Sequence, residues 1–407
     1  MSPPVRPSAE FLLLTRLARP GFNAQDALNA GELAARADLE AFAALAAFHR
    51  CAGHVLANLA ALDHRILPEP MHRRCLQMAR GGRRRTEVQL GQLDAIGAAF
   101  EAQGVEAMVL KGPAVSAALF GDPARRVLRD LDVMVRAEDA LAAVAALDGL
   151  GWRPEHPALQ GPMTRHRMRR LQSWSNNIAF QNRDAPNFFV ELHWRPGRFQ
   201  VEFPVRQDAL WAQARRIKIA GRRWPTLDRR HDAVFLAMHG CKHEWKRLHW
   251  LVDIAALMQD PRTDWPGVAA VCAQTGLGRS VRLAARLAET VLDAPWPAGL
   301  EAPSAGERRA AEAIRRRRFH GAPVHDSPLD AFFVECRNIA LVGGAAGRAR
   351  LVLGHLQPGP YEWALMDAPR WAEGLYYPLR LARIAAVLGA NALSRLRPGS
   401  RAARPGA

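Results

Sequence analysis

Two aspartates, Asp130 and Asp132, stand two residues apart inside the apolar segment VLRDLDVMV (Val127 to Val135). In an extended strand, side chains alternate between faces, so this spacing sends both carboxylates to one face and turns Leu131 and Val133 to the other. Like charges held side by side in apolar surroundings repel, and a cation between them is the common reason to keep them. A later segment, FFVELHW (Phe188 to Trp194), places Glu191 in the same sort of position, with Val190 and Leu192 turned away. If the two strands are neighbours, three carboxylates converge. Three hard oxygen donors with open positions suit Mg²⁺ or Mn²⁺ carrying substrate phosphates, the chemistry of metal-assisted phosphoryl transfer.

Several elements must position these groups. The strand VEAMVLKG (Val105 to Gly112) ends in Lys111 and Gly112 and opens into a short helix from Pro113 to Phe120, whose N-terminal amides are placed to receive phosphate. A second helix, Asp139 to Leu150, stops at Gly151. The strand NNIAFQN (Asn176 to Asn182) is joined to FFVELHW by the turn-rich RDAPN, which predicts an antiparallel hairpin. Helical spacing surrounds this unit. It runs from about Ala9 to Phe100, from Leu227 to Asp260 with Asp228 as an N-cap, through Ser280 to Leu292, and into the basic ERRAAEAIRRRRFH. LYYPLRLARIAAVLGANALSRLR is read as a packed C-terminal helix rather than a membrane-surface one.

The chain has 407 residues, enough for two or three domains at about 150 residues each. With 49% apolar and 23% charged residues, wholesale disorder and fibrous repeats are excluded. Lys and Arg outnumber Asp and Glu by 56 to 39, a net charge of +17 that favours nucleotides, nucleic acid or a lipid surface without choosing among them. A high-GC coding bias would also produce the Ala and Arg excess. Cys51, Cys75, Cys241, Cys272 and Cys336 are too scattered for a disulfide framework or a zinc module, so a reducing cytoplasm is expected. The N-terminus has only four apolar residues in a row, too few for a signal-peptide core, and no stretch approaches the length of a transmembrane helix.

The order of strand, glycine turn, helix, D-x-D strand and later carboxylate strand resembles the DNA polymerase beta-like nucleotidyltransferase superfamily. The closer resemblance is to its uncharacterised bacterial nucleotidyltransferase family. It is carried by LKGPAVSAALFGDPARRVLRDLDVMV, GLGW (Gly149 to Trp152), ELHW (Glu191 to Trp194), RLHWLVDIAAL (Arg247 to Leu257) and YEWALMDAPRWAEGLYYPLRLAR (Tyr361 to Arg383), over roughly Gln89 to Arg383. The resemblance implies an α+β fold: a small mixed-sheet nucleotidyltransferase core at residues 86–200 behind a helical N-terminal region at 1–85. Helical regions at 201–300 and 301–394 and a disordered basic tail at 395–407 would follow.

The same resemblance implies that Asp130, Asp132 and Glu191 are catalytic metal ligands, Glu191 either binding metal or activating the acceptor hydroxyl. Gly112 would let the backbone approach a triphosphate. Pro113 departs from the superfamily pattern of Gly followed by Gly or Ser, and proline has no amide to donate. Lys111, Arg125, Arg126 or Arg129 would then supply charge to the β- or γ-phosphate. His193 shares the face of Glu191 and would contact phosphate, support the ligands from behind or make a structural hydrogen bond. The implied reaction is Mg²⁺-dependent transfer of a nucleoside monophosphate from a nucleoside triphosphate to an unidentified acceptor hydroxyl or phosphate on a small metabolite, sugar, peptide or protein. A silent scaffold binding RNA or another anion, and a kinase-type phosphotransferase, remain as alternatives, with nucleic acid the less favoured partner.

Weaker signals lie elsewhere. His239 and His243 stand four apart with Cys241 nearby, a spacing that can bind a transition metal but lacks a third ligand, so helix surface or cleft lining is expected. Trp250 and Asp253 share a helix face and either line a cleft or pack in the core. Arg315 to Arg318, beside Arg308 and Arg309, read as a solvated face.

Overall fold

The structure is a computed structural model that describes residues 7–60, 66–185, 187–197, 202–321, 334, 344–365, 368 and 370–396. Its centre is a five-stranded mixed sheet of β1 (Ala107–Leu110), β2 (Asp130–Val135), β3 (Trp152–Pro154), β4 (Asn177–Asn182) and β5 (Phe189–His193), in the order β1-β2-β5-β4-β3. β2 pairs parallel with β5 and antiparallel with β1. β4 and β5 form the expected antiparallel hairpin, and β3 is a short edge strand beside β4.

Helices α1 (Ala9–Ala18), α2 (Ala24–Ala34), α3 (Leu39–Phe48), α4 (Ala52–Ala60) and α5 (Glu69–Ala102) precede the sheet. α6 (Gly112–Phe120) follows β1, α7 (Ala140–Gly149) follows β2, and α8 (Arg165–Trp174) precedes β4. After the sheet come α9 (Gln207–Ala212), the hairpin β6 (Arg215–Ile219) and β7 (Arg222–Thr226), then α10 (Arg229–Lys242), α11 (Leu248–Gln259), α12 (Trp265–Thr275), α13 (Gly278–Leu292) and α14 (Ala305–Arg318). Near the C-terminus are α15 (Ala345–His355), α16 (Pro360–Leu365) and α17 (Tyr376–Leu396). The architecture is α+β with helices on both flanks.

Strand alternation divides the sheet between two cores. Val109, Leu131, Val133, Val135, Ile178, Phe180, Val190 and Leu192 pack on the second half of α5 and on α7. Met108, Leu110 and Met134 face the other way and join the core of α10, α11 and the N-terminal helices. The same parity puts Asp130, Asp132, Glu191 and His193 on this second face. α5 is one unbroken helix of 34 residues through positions 85 and 86, with Met71 and Cys75 in one core and Leu93, Ile96 and Phe100 in the other.

The remaining differences from the sequence reading have local causes. The helical stretch expected from Leu227 to Asp260 is broken, although Asp228 does cap its first helix. Glu244 and Trp245 take positive φ (47° and 52°), and the Trp245 ring returns against Gly240, where an added Cβ would lie 2.4 Å from the ring. The helical region expected at 201–300 is interrupted after the short α9 by the β6–β7 hairpin, whose turn uses Ala220 and Gly221, both at positive φ, rather than an Asn-Gly or Asp-Gly pair. The apolar run at Phe11 to Leu14 lies in α1, with Phe11, Leu13 and Leu14 buried. α17 packs through Tyr376, which is buried, and through Arg380 and Arg383, which pair with Glu362 of α16, while Tyr377, Leu381 and Val387 are exposed. It carries Arg395 and Leu396 into the stretch read as a disordered tail, and residues 397–407, like Cys336, lie outside the described residues. The other four cysteines are buried and unpaired. Among the described residues, no helix is long and apolar enough to cross a membrane.

One contact holds the loop that enters β2. Gly53 lies in the first turn of α4, and a Cβ added there would come within 2.2 Å of the Arg125 carbonyl oxygen. Gly53→Ala gains about 1 kcal/mol in helix propensity but meets backbone, and overpacking of this kind costs about 1–3 kcal/mol. The expected outcome is a lower melting temperature in thermal unfolding. An unchanged or higher value would show that the Arg125 to Arg129 loop yields freely.

Candidate active site

The acidic face of β2 and β5 floors a cleft of about 550 Å³ whose walls include Phe235, Met238, His239 and Lys242 of α10 and His249 and Trp250 of α11. Parallel register sets Asp132 beside Glu191 and Met134 beside His193. The two strands are therefore neighbours, as the convergence of carboxylates requires. Asp132 and His193 are buried, while Asp130 and Glu191 are partly exposed to the cleft.

Asp132 is the hub. Its Oδ1 accepts from Lys111 Nζ at 2.9 Å and lies 3.1 Å from His193 Nε2. The same histidine nitrogen is 3.3 Å from Glu191 Oε2, which also accepts from Asn177 Nδ2 at 2.8 Å. Asn176 Nδ2 holds the other ring nitrogen, His193 Nδ1, at 3.3 Å. Burial disfavours charge on Lys111, yet Asp132, Glu191 and Asp130 together hold its pKa above the usual lysine range. His193 is likewise opposed by burial and raised by its hydrogen bonds to Asp132 and Glu191. Burial would raise Glu191, but His193 and then Lys111 pull it well below the ordinary carboxylate range. Asp130 is the exception: burial and the charge of Asp132 push it up to about 6.

Lys111 reaches Asp132 from an unusual backbone. At φ 47° and ψ −149° it occupies a region that side-chain-bearing residues avoid, at a cost of about 1–3 kcal/mol. This bend turns β1 into α6, and Gly112 at φ 42° continues it. Two amides of the first turn of α6 are satisfied internally: Ala114 and Val115 both donate to the Lys111 carbonyl at 3.0 and 3.2 Å, and Pro113 has no amide. The expected reception of phosphate by these amides is therefore not open to Ala114 or Val115.

The arginines considered from sequence divide. Arg129 is exposed at the cleft. Arg126 also lines it but is buried against Asp253 of α11, Nη1 to Oδ2 3.1 Å. Arg125 is turned instead to a separate cavity beside Phe120. His239 and His243 line the cleft with Trp250 as a ring cluster: their centroids are 4.7 Å apart, and the His243 and Trp250 rings stack at 5.5 Å. Burial, together with neighbouring Lys111 and Lys242, drives His239 far down and His243 down to about 3, so both rings are neutral. Cys241 is buried away from them, near the Ser280 carbonyl.

Sequence reasoning missed Arg50, Asn176, Asn177, Lys242, Lys246 and Arg247, all of which line the cleft. Only the asparagines left a signal. The antiparallel hairpin sets Asn177 beside His193, so its register already brings this asparagine to the carboxylate face.

A divalent cation can be tested against this donor set. One ligand atom from each of Asp132, Glu191 and His193 lies within 4.8 Å of the others, and among the described residues this is the group so arranged. Two carboxylate oxygens and an imidazole nitrogen fit a divalent ion. Asp130 lies on the same face and lines the same cleft but is not one of these three, and His193 joins Asp132 and Glu191 in the group.

The Arg126–Asp253 pair offers a test of how the cleft is braced. Neither Asp253 oxygen has a hydrogen-bond partner among the described residues, so the pair is held by charge without hydrogen-bond alignment. Burial pushes Asp253 up to about 7 despite Arg126. The folded protein thus holds this proton more tightly than the unfolded chain, whose aspartates titrate near 4. Stability from this group is fully present below about pH 4 and is lost as pH rises through about 7. Asp253→Asn removes that loss, so the variant should gain on the wild type by on the order of 1–3 kcal/mol between pH 5 and 8. Thermal unfolding across this range checks it; a pH-independent difference would mean that Asp253 is ionised throughout.

None of the curated proteins or solved structures compared with the chain matches it. A family described as an uncharacterised nucleotidyltransferase matches residues 35–293. This span starts earlier than the resemblance seen in the sequence and leaves out Tyr361 to Arg383. It takes in β1 to β5, the Asp132, Glu191 and His193 group and both cleft-lining helices, α10 and α11. With more than half of its length matched, the chain belongs to this nucleotidyltransferase family.

Proposed function

We propose that the protein is a Mg²⁺- or Mn²⁺-dependent nucleotidyltransferase that moves a nucleoside monophosphate from a nucleoside triphosphate to a hydroxyl or phosphate of an acceptor. The observation that carries this reading is the convergence of Asp132, Glu191 and His193 on the floor of a cleft with cationic walls, in a chain of nucleotidyltransferase family. A divalent ion held by those three residues would neutralise charge on the phosphates and lower the pKa of the attacking hydroxyl.

The chain's own groups have distinct tasks in this reading. Lys111 supplies positive charge to Asp132, and His193 Nε2 serves Asp132 and Glu191 as a hydrogen-bond partner until a bound metal would take that nitrogen and displace its proton. Glu191, held ionised by His193, suits coordination better than proton uptake. Asp130, pushed up by burial and by Asp132, is a carboxyl whose ionisation a cation bound beside it would favour. The neutral rings of His239, His243 and Trp250, the last two stacked and His239 edge-on to both, offer an aromatic wall for a nucleobase or an apolar part of the acceptor. Arg129, exposed at the cleft, is available to phosphate, whereas Arg126 is committed to Asp253.

Calorimetry with nucleoside triphosphate should show binding in Mg²⁺ or Mn²⁺ that chelator abolishes. Equal affinity with and without chelator would remove the metal site. Transfer of label from α-labelled nucleotide into cell-extract acceptors should fall about 100-fold or more in Asp132→Asn and Glu191→Gln, with the melting transition retained. Transfer of γ-label without α-label would establish the kinase-type reaction instead. Metal-independent RNA binding with no label moved would establish the silent scaffold.

A further inference from the structure

The basic wall of the cleft is built largely from outside the sheet. Arg50 sits in the turn between α3 and α4, Arg129 in the loop entering β2, and Arg247 in the turn between α10 and α11, and all three line the cleft with Asp130. Among the described residues none of the three has a carboxylate in salt-bridge contact. Arg247 is fixed in place by the Phe48 carbonyl, to which its Nη1 donates, and by the Phe48 ring, which lies 4.0 Å from its guanidinium. Arg50 is half-buried and takes φ 57°, a left-handed conformation that costs a side-chain-bearing residue free energy.

These guanidinium groups feel one another. Burial, and then the charge of Arg247, pushes Arg50 down to about 10; Arg129 and Arg126 act in the same sense, and Asp130 opposes them. Burial and Arg129 also lower Arg247. Like charges gathered in a partly desolvated cleft are destabilising until an anion joins them. Several other receivers of phosphate nearby are already engaged. The Lys111 ammonium is on Asp132, Arg126 is on Asp253, and the Ala114 and Val115 amides are bonded to the Lys111 carbonyl.

We infer that Arg50, Arg129 and Arg247 form a phosphate-binding subsite beside Asp130 that takes the terminal phosphates of the nucleotide. Assigning that phosphate to the nucleotide rests on the nucleotidyltransferase reading; a phosphorylated acceptor would present the same chemistry. The flanking helices α3, α4, α10 and α11 thereby contribute to binding, and the phosphate tail is gripped by side chains where Pro113 leaves no amide.

Calorimetry on the full chain with inorganic pyrophosphate, ATP and AMP tests this in wild type, Arg50→Gly and Arg129→Gln. Each variant should lose about 10- to 100-fold in affinity for pyrophosphate and for ATP, with AMP little changed. Glycine suits the backbone at position 50, so Arg50→Gly should melt no lower than wild type while losing anion affinity, a combination that a structural role would not produce. Should Arg50→Gly fail to fold, the exposed Arg129→Gln carries the test. Loss of pyrophosphate affinity with ATP unaffected would keep the subsite and give it to a phosphorylated acceptor. A wild type that binds pyrophosphate through these arginines but no nucleotide would retire the nucleotidyltransferase reading and leave the subsite standing. Metal-dependent ATP binding with pyrophosphate and ATP affinities equal in all three proteins would overturn the subsite and leave that reading intact.

Discussion

The buried carboxylate of Asp132 is the constraint around which this site is arranged. An ionised group removed from water is tolerated only where opposite charge and hydrogen bonds replace the lost hydration. Here the replacement comes from two nitrogens on one oxygen, the Lys111 ammonium Nζ and His193 Nε2. Each brings a requirement of its own. Lys111 must leave β1 through a strained backbone to reach back over the strand, and His193 must stand beside Met134 on β5, which only parallel pairing with β2 provides. Without that pairing, Asp132 and Glu191 would not share a histidine. The strand order therefore follows the electrostatics as much as the apolar alternation.

The same constraint explains why the flanking helices are part of the site. A carboxylate face left against water would need no cationic wall. Covered by α10 and α11, it becomes a cleft in which charge is stronger because water is partly displaced, so cations and anions must be matched across it. Arg126 to Asp253 ties the loop before β2 to α11, and the close approach of Gly53 to the Arg125 carbonyl ties the same loop to α4. α5 then joins the two cores in one continuous rod. Movement of the helical layer would alter the cleft directly.

What the sequence revealed follows from how locally each feature is encoded. Strand alternation is a period-two signal, so the shared face of Asp130 and Asp132 and the turn of Leu131 and Val133 to the opposite face were legible in nine residues. The β4–β5 hairpin was legible from its turn, and the Asp228 cap from its position before an apolar run. Arg50 and Arg247 were not, because their place in the cleft comes from packing α3, α4 and α10 against a sheet more than fifty residues away in either direction along the chain. The break between α10 and α11 was hidden for a related reason. It depends on the Trp245 ring filling the space that Gly240 leaves open, a contact that the helical periodicity of the flanking residues conceals. The β6–β7 hairpin was missed because Ala220 carries a conformation usually left to Asn, Asp or Gly.

Pro113 shows how these levels meet. Taken alone, a proline after the glycine of a phosphate-binding turn reads as damage, since it removes a donor where anions are received. In the structure the loss is smaller than it seems from sequence. The next two amides are already bonded to the Lys111 carbonyl, so a different residue at 113 would restore one donor to a turn in which two amides are already used. Proline also fixes φ near its helical value in the first turn, which steadies the end of the bend that Lys111 and Gly112 begin. That bend delivers the lysine to Asp132. The turn has thus given up much of its capacity to bind phosphate through the backbone and secures the cation that keeps the carboxylate face intact, leaving anion recognition to side chains on the surrounding helices and loops.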